Sequence, residues 1–225
     1  MLVLIAAPVR SSGRRTRQYD LIVHEIAGQL KVRESGSHPL LPQHCPQRHI
    51  NGDGSFCLGL RAGEGICDAS TARQWWDKLQ VFLVCQETAH ESGDWPSYAE
   101  LSHGTAGEYQ RRAEEVAQEL GVLEHYRDAV NGNAGSIANV ARRVDPFTLR
   151  PRNGRAPCVC GRLDRRRRAR LRRECWKAQL ACLAVLEFQR RKALDQFWSS
   201  FGKKIRCCGT MLNCPLKSAA SSGTL

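Results

Sequence analysis

Residues 38–60 read HPLLPQHCPQRHINGDGSFCLGL, in which a proline-rich connection leads into a polar turn and then into an apolar run containing Cys57. The prolines fix their own φ and disfavour helix at the residue before each of them, so the first half of the stretch is predicted to be extended. The Gly-rich segment NGDGS then predicts a turn directly before the cysteine. The function of Cys57 therefore depends on how this turn presents it.

On the residues alone, Cys57 has three interpretations. It is a buried core thiol in the first, since free cysteine is among the most buried residue types. In the second it binds zinc together with His44, Cys45 and His49. In the third it is a nucleophile that the preceding turn holds in position. The elements on either side of the stretch are needed to choose among them.

The sequence before this stretch predicts a small antiparallel sheet. Residues 18–26 (QYDLIVHEI) alternate apolar and polar side chains, and residues 29–34 (QLKVRE) follow as the partner strand of a hairpin. The opening MLVLIAAPV lacks the basic residues that begin a secretory signal, so it is predicted to be a first strand. Without such a signal, the protein is expected in the cytoplasm.

The sequence after Cys57 predicts helices. Apolar residues recur at helical spacing from Thr71 onwards, with Ser70 as the predicted N-cap, and the sequence GDWP ends this helix. A second helix is predicted over 104–120 and a long third helix over 162–201. No apolar run reaches the ~18 residues that span a membrane, so no membrane partner is expected.

The order of these elements and the motif around Cys57 resemble the ubiquitin-conjugating enzyme fold, in particular its bacterial relatives. The resemblance covers residues 18–120: a hairpin sheet, the connection HPLLPQHCP, the approach NGDGSFCLGL, a Trp-containing helix, a WP break and a last helix. The pieces RHIN, FCLG, WW, WP and SHG are similar to bacterial members encoded with ubiquitin-like proteins, activating enzymes and deubiquitinases in antiphage defence operons. The implied fold class is α+β, a small antiparallel sheet packed with helices.

The resemblance also implies site residues, with Cys57 as the nucleophile that carries the acyl group. In the eukaryotic family, an asparagine eight residues upstream of the cysteine supplies the amide that stabilises the oxyanion. Here His49 stands at that place, and Asn51 is the reserve candidate. His49 could instead accept a proton from the incoming amine or lower the pKa of the thiol. His103, in the motif LSHG, is a further catalytic candidate, and a helix-capping or core histidine is its alternative.

The function implied by the resemblance is that of a conjugating enzyme, an acyltransferase that requires no cofactor. It accepts a ubiquitin-like protein from an activating enzyme as a thioester on Cys57 and transfers it to an amine on a target. The sequence is also compatible with two other classes of function. One is a catalytically silent scaffold with the conjugating-like fold, and the other is a nucleic-acid-binding protein that acts through its basic tail.

The basic residues are concentrated in the last third of the chain. Residues 1–149 carry 15 Lys or Arg and 18 Asp or Glu, whereas residues 150–225 carry 19 and 4. Eleven arginines lie within 150–173, a density that suits an acidic protein surface or nucleic acid as partner. A solvated start of the third helix is the alternative.

Eleven cysteines in a chain expected in a reducing compartment favour thiol or metal chemistry over disulfides. Cys158, Cys160 and Cys175 are candidate ligands of a structural zinc, and the fourth ligand would come from the later cysteines, of which we name Cys207. Ordinary buried thiols along a helix are the alternative.

These patterns predict four segments. They are a ubiquitin-conjugating-like catalytic domain over 1–125, a linker over 126–157, a basic cysteine-rich helical extension over 158–215 and a disordered tail over 216–225.

Overall fold

The computed structural model divides into two units, which are described separately. Unit 1 consists of residues 1–100 and 201–225, and unit 2 consists of residues 101–200. The residues that the structure describes are 1–36, 38–96, 99, 101–132, 134–177, 182–201, 205 and 207–217.

Unit 1 begins with a three-stranded antiparallel sheet in the order β1-β2-β3. Its strands are β1 (Leu2–Ala6), β2 (Tyr19–Ile26) and β3 (Gln29–Glu34). The predicted hairpin is confirmed, because β2 and β3 pair through a tight turn whose two residues, Ala27 and Gly28, both have positive φ. Alternate residues of β2 face the core, as the alternation of the sequence predicts.

Helix α1 (Ala69–Ser92) packs its apolar face into the same core as β2. Trp75, Leu79 and Leu83 on this helix are buried in one cluster with the sheet. The N-cap is Asp68 and not the predicted Ser70, because the Asp68 carboxylate accepts the backbone N–H of Thr71 at 2.7 Å and completes a capping box. The helix therefore starts two residues earlier than predicted.

Unit 2 is helical. Its elements are α2 (Ala106–Glu119), α3 (Leu123–Asn131), α4 (Gly135–Ala141), α5 (Arg172–Lys177) and α6 (Leu183–Phe201), whose last residue belongs to unit 1. The predicted helix over 104–120 corresponds to α2. Within the described ranges, no helix is long and apolar enough to cross a membrane. The small antiparallel sheet of unit 1 and the helices of both units confirm the α+β class.

The structure differs from the predicted segment boundaries. Tyr126 and Ile137 lie in the 126–157 segment that the sequence predicts to be a linker, yet both are buried in the core of unit 2. The division between the units falls near residue 101 and not at 125, because α2 packs with these later helices. Of the predicted disordered tail, Leu216 is buried, and residues 218–225 lie outside the described residues.

The long helix predicted over 162–201 is wrong in its first part. The Asp164 carboxylate accepts the backbone N–H groups of Arg166 at 2.8 Å and of Arg168 at 2.9 Å, which closes a turn in place of the helix. A bridge between Leu163 and Ala169 fixes the two arms of this turn. Arginine favours helix by itself, but one aspartate in the right place offers the backbone a competing partner.

Candidate active site and cysteine clusters

The segment that leads to Cys57 folds back on itself in unit 1. Ile50 pairs with both Cys45 and Phe56, and the backbone N–H of Cys57 donates to the carbonyl of His49 at 2.8 Å. The N–H of Phe56 donates to the carbonyl of Val32 at 2.8 Å, which ties the turn to β3. The backbone on the N-terminal side of Cys57 is therefore held by the sheet.

The side chains of Phe56 and Cys57 have different surroundings. Phe56 is buried and stacks on Phe82 of α1, with ring centroids 4.7 Å apart. Cys57 is half-buried and lines a cleft of about 190 Å³ together with Asn51 and Trp75. A thiol at the wall of a cleft is accessible to a second molecule, which a core thiol is not.

Hydrogen bonds orient the Asn51 carboxamide beside this cleft. Its Nδ2 donates to the Ser55 hydroxyl at 3.0 Å, and that hydroxyl donates to the Asp53 carboxylate at 2.6 Å. Hydrogen bonds from the Ser55 side chain and backbone, and the charge of Lys31, keep the pKa of Asp53 below its usual value. An amide nitrogen carries two N–H groups, so Asn51, a residue of the cleft wall, has one N–H that the bond to Ser55 does not use.

His49 is placed differently from Asn51. Its backbone is left-handed (φ 56°), a conformation in which histidine is enriched, and its carbonyl accepts from Cys57. The ring is 3% exposed and packs against Trp95 with centroids 4.9 Å apart. This packing supports a structural role for the imidazole and makes Asn51 the better candidate for the oxyanion donor.

The zinc interpretation of Cys57 has no support in this geometry. The thiol of Cys45 contacts Cys208, the ring of His44 lies 6.2 Å from that of Phe201, and the ring of His49 packs on Trp95. These side chains therefore have separate partners.

His103 belongs to unit 2, whereas Cys57 belongs to unit 1. Its ring stacks on Phe197 with centroids 4.7 Å apart and meets Trp198 edge-on at 5.1 Å. Burial lowers the pKa of His103 to about 4, so the ring is neutral at pH 7. These contacts support the core-histidine alternative for this residue.

His103 gives unit 2 a testable pH dependence. Its folded pKa is about 4 and lies below the usual 6.5, so its contribution to stability is complete above pH 6.5 and is lost as pH falls towards 4. At ~1.4 kcal/mol per pKa unit, this loss is about 3 kcal/mol. His103→Phe keeps an aromatic ring on Phe197 but has no group that titrates here. In denaturant titrations, we therefore expect the free energy of unfolding to fall between pH 7 and pH 4 by about 3 kcal/mol more in the wild type than in His103→Phe. Equal losses in the two proteins would contradict a buried neutral ring.

Four cysteines meet in the core of unit 2. The thiols of Cys158, Cys160 and Cys175 all lie within 4.8 Å of one another, and interaction with the Cys158 thiol lowers the pKa of Cys182. All four belong to the buried core of this unit. Cys207, the predicted fourth ligand, lies in unit 1, whereas Cys182 is buried in the same core as the other three cysteines.

The arginine-rich segment predicted to bind a partner forms an exposed turn. Arg165, Arg166 and Arg167 are exposed at its tip, and the carboxylate of Asp164 forms an ion pair with Arg168 at 2.9 Å. The segment is thus a solvated basic surface, although it is not the start of a helix.

Two family models match the chain. Residues 1–97 match the model described as "Prokaryotic E2 domain", and residues 102–216 match the one described as "Cysteine-rich domain, C-terminal to E2 domain". The interval between the two matches coincides with the division between the units near residue 101. No curated protein and no solved structure gives a significant match.

Proposed function

This chain belongs to the prokaryotic E2 family whose E2 domain is followed by a cysteine-rich domain, and we propose that it carries a ubiquitin-like protein as a thioester on Cys57. Membership of the family supports a conjugating role in general. The observation that carries the specific proposal is the position of Cys57, half-buried on the wall of a cleft and directly after a turn anchored to β3.

In the charging step, the thiolate of Cys57 attacks the carbonyl carbon of the thioester that joins the activating enzyme to the C-terminal glycine of the ubiquitin-like protein. A new C–S bond to Cys57 forms and the bond to the activating enzyme breaks. The proton released by the Cys57 thiol goes to the departing thiolate. One thioester replaces another, so the step needs no cofactor.

In the transfer step, an amine of the target attacks the same carbonyl carbon. The tetrahedral intermediate bears an oxyanion, the C–N bond is kept, the C–S bond breaks, and the amine proton ends on the Cys57 sulfur. The free N–H of Asn51 is the proposed oxyanion donor, held by its hydrogen bond to Ser55. His49 holds the turn through its carbonyl and its packing on Trp95.

A thioester assay tests this proposal directly. The full-length protein is incubated with its ubiquitin-like protein, the activating enzyme and ATP, and the products are separated on non-reducing gels. We expect a covalent adduct that disappears on treatment with a thiol. If a competent activating enzyme produces no adduct, the silent-scaffold alternative replaces the proposal.

The partners implied are the ubiquitin-like protein, the activating enzyme and a target amine. The exposed arginine turn within 150–173 is the proposed contact for an acidic surface of a partner or for nucleic acid, and salt-dependent retention on nucleic acid separates these two. A role in antiphage defence and a cytoplasmic location are part of the proposal and rest on the resemblance alone.

The cluster of Cys158, Cys160, Cys175 and Cys182 is the proposed site of a structural zinc ion. Four thiolates form a complete tetrahedral shell for zinc, which leaves no open position for chemistry. Burial raises the pKa of Cys175, and a hydrogen bond to Cys158 together with burial raises the pKa of Cys160, so a cation beside these thiols would favour their ionised form.

Removal of one ligand tests this zinc site. We expect Cys160→Ser to lose one equivalent of zinc per chain and to lower the thermal unfolding midpoint, because a structural metal contributes to folding. Zinc is measured by plasma mass spectrometry after gel filtration of the full-length chain. The control is Cys85→Ser, a buried cysteine of unit 1, which should keep the wild-type zinc content. Identical zinc content in both variants would reject the site.

A further inference from the structure

Two thiols of unit 1 that are distant in the sequence contact each other. Cys45 precedes the turn that leads to Cys57, and Cys208 lies in the C-terminal segment 207–217. Their Sγ atoms are 2.8 Å apart, although 163 positions separate the two residues in the chain. Both are free thiols. The S–S bond of a disulfide is ~2.05 Å long, so a shift of ~0.8 Å would bring these two sulfur atoms to bonding distance.

The two thiols differ in their access to solvent. Cys45 is 1% exposed, whereas Cys208 is half-buried. Oxidation of a cysteine by a small molecule in solution requires that its sulfur can be reached, and a second thiol poised beside it then completes a disulfide. The burial of Cys45 and the partial exposure of Cys208 therefore make Cys208 the thiol that reacts first and Cys45 the one that follows.

Polar groups around Cys208 favour its thiolate, the form that reacts with oxidants. The Thr210 hydroxyl lies 3.1 Å from the Cys208 sulfur, and the guanidinium of Arg48 donates to the same hydroxyl at 3.3 Å. Arg48 is 1% exposed and also donates to Gln86, a neutral residue, so it brings a buried positive charge to this place. Hydrogen bonds with Cys45 and Thr210, together with the charge of Arg48, lower the pKa of Cys208 against the opposing effect of burial.

The C-terminal segment that carries Cys208 has contacts of its own with unit 1. The Leu212 N–H donates to the Gly93 carbonyl at 2.7 Å, and the side chains of Met211 and Leu216 are buried. Backbone hydrogen bonding and apolar burial thus position the segment while both thiols are reduced. The pair is therefore arranged for reaction before any bond between the sulfur atoms exists.

We infer that Cys208 is a site of oxidation by hydrogen peroxide, and that Cys45 converts the oxidised product into a reversible disulfide. Disulfides of proteins in reducing compartments are usually transient and formed in response to oxidants. The inference does not depend on the proposed conjugating activity, because it uses neither Cys57 nor the cleft beside it.

The reaction takes two steps, and hydrogen peroxide is the oxidant. The thiolate of Cys208 attacks one oxygen of the peroxide, an S–O bond forms, the O–O bond breaks, and the departing hydroxide takes up the thiol proton as water. The sulfur of Cys45 then attacks the sulfenic acid on Cys208, an S–S bond forms, the S–O bond breaks, and a second water leaves with the Cys45 proton. Two thiols lose two electrons in total, and a thiol reductant restores both.

The position of Cys45 determines what the disulfide would join. Cys45 pairs with Ile50, which pairs with Phe56, the neighbour of Cys57. The disulfide would therefore tie the C-terminal segment covalently to the base of the turn that presents Cys57. Because the crosslink closes a long loop of the chain, we expect the oxidised protein to unfold at a higher temperature than the reduced protein.

Peptide mapping tests the inference with the full-length chain. The reduced protein is freed of reductant, treated with one equivalent of hydrogen peroxide, blocked with iodoacetamide and digested with trypsin without reduction. Cleavage after lysine and arginine gives a peptide of residues 34–48, whose one cysteine is Cys45, and a peptide of residues 207–217, which contains Cys208. We expect these two peptides to be linked by a disulfide that fragmentation assigns to Cys208 and that a thiol reductant cleaves. The inference is overturned if the two peptides are recovered alkylated and unlinked.

Three variants separate the roles of the two thiols. In Cys45→Ser we expect the sulfenic acid on Cys208 to persist and to be trapped by dimedone, whereas Cys208→Ser should lose the linked peptides and give no dimedone adduct at Cys45. Cys207→Ser is the matched control, because it changes the neighbouring cysteine of the same segment and should keep the linked pair. A dimedone adduct on Cys45 in Cys208→Ser, or a link that requires Cys207 in place of Cys208, would overturn the assignment. The peptide map of the wild type decides the inference even where a variant does not fold.

Discussion

Replacing Cys57 by alanine is expected to abolish the adduct with the ubiquitin-like protein, and replacing it by serine to give an adduct that resists thiols. The alanine variant has no nucleophile at this position. The serine variant has a weaker nucleophile whose product is an oxyester, which thiols cleave far more slowly than a thioester. Non-reducing and reducing gels of the two variants, charged under wild-type conditions, measure both outcomes.

The fold should survive both substitutions. Cys57 is half-buried, and the core contacts of the turn come from Phe56, which stacks on Phe82. We expect the free energy of unfolding to change by no more than about 0.5 kcal/mol, the usual range for substitutions outside the core. Cys67→Ser is the matched control, because Cys67 is an exposed thiol of the same unit and should leave charging intact. An adduct that persists in Cys57→Ala but disappears in Cys67→Ser would show that Cys67, and not Cys57, is the nucleophile.

The parts of the fold that the sequence predicts are those formed by neighbours in the chain. The β2–β3 hairpin follows from alternation on both sides of a two-residue turn, and α1 follows from the spacing of Trp75, Leu79 and Leu83. The sequence predicts Ser70 as the N-cap, whereas the structure has Asp68. Both residues can cap a helix, and only the hydrogen bonds between Asp68 and Thr71 show which of them does so. Local patterns locate such elements to within a turn.

The parts that the sequence missed depend on contacts between distant residues. Periodicity could not show that Asp164 closes a turn where arginines favour helix, because the competing hydrogen bonds depend on the exact conformation. The contact between Cys45 and Cys208 has no local signal at all. Cys182 was one of several candidates for the fourth ligand, and only the tertiary fold shows that it is buried in the same core as Cys158, Cys160 and Cys175. The density of cysteines indicated metal binding but did not indicate which cysteines lie close together.

The same distinction between features formed by neighbours in the chain and features formed by tertiary contacts applies to the candidate site. Cys57 is predicted from its motif, because the turn and the cysteine are contiguous in the sequence. The choice between His49 and Asn51 required the structure, since it depends on which side chain faces the cleft. Asn51 lines the cleft with Cys57, and the ring of His49 packs on Trp95. This difference leads to opposite expectations for the two residues.

Asn51→Ala is expected to slow transfer from the preformed thioester by ~10²–10³-fold while leaving charging possible, because loss of one oxyanion donor typically has that effect. His49→Phe removes both ring nitrogens and keeps an aromatic ring against Trp95, so we expect it to retain most of the transfer rate. The measurement is single-turnover discharge of the purified thioester to free lysine, followed on non-reducing gels. A large loss in His49→Phe with a small one in Asn51→Ala would assign the oxyanion to the histidine.

Ser55→Ala tests whether Ser55 acts by positioning the Asn51 amide, the proposed oxyanion donor. The Ser55 hydroxyl accepts from Asn51 and donates to Asp53, so its removal leaves the amide in place but free to rotate. Discharge should then slow by less than in Asn51→Ala, and adding Ser55→Ala to Asn51→Ala should slow it no further, because both changes act through one amide. Additive losses would mean that Ser55 contributes to the reaction by a route other than Asn51. The hydrogen-bonded turn of Asn51, Asp53 and Ser55 would then act as more than a support for the oxyanion donor.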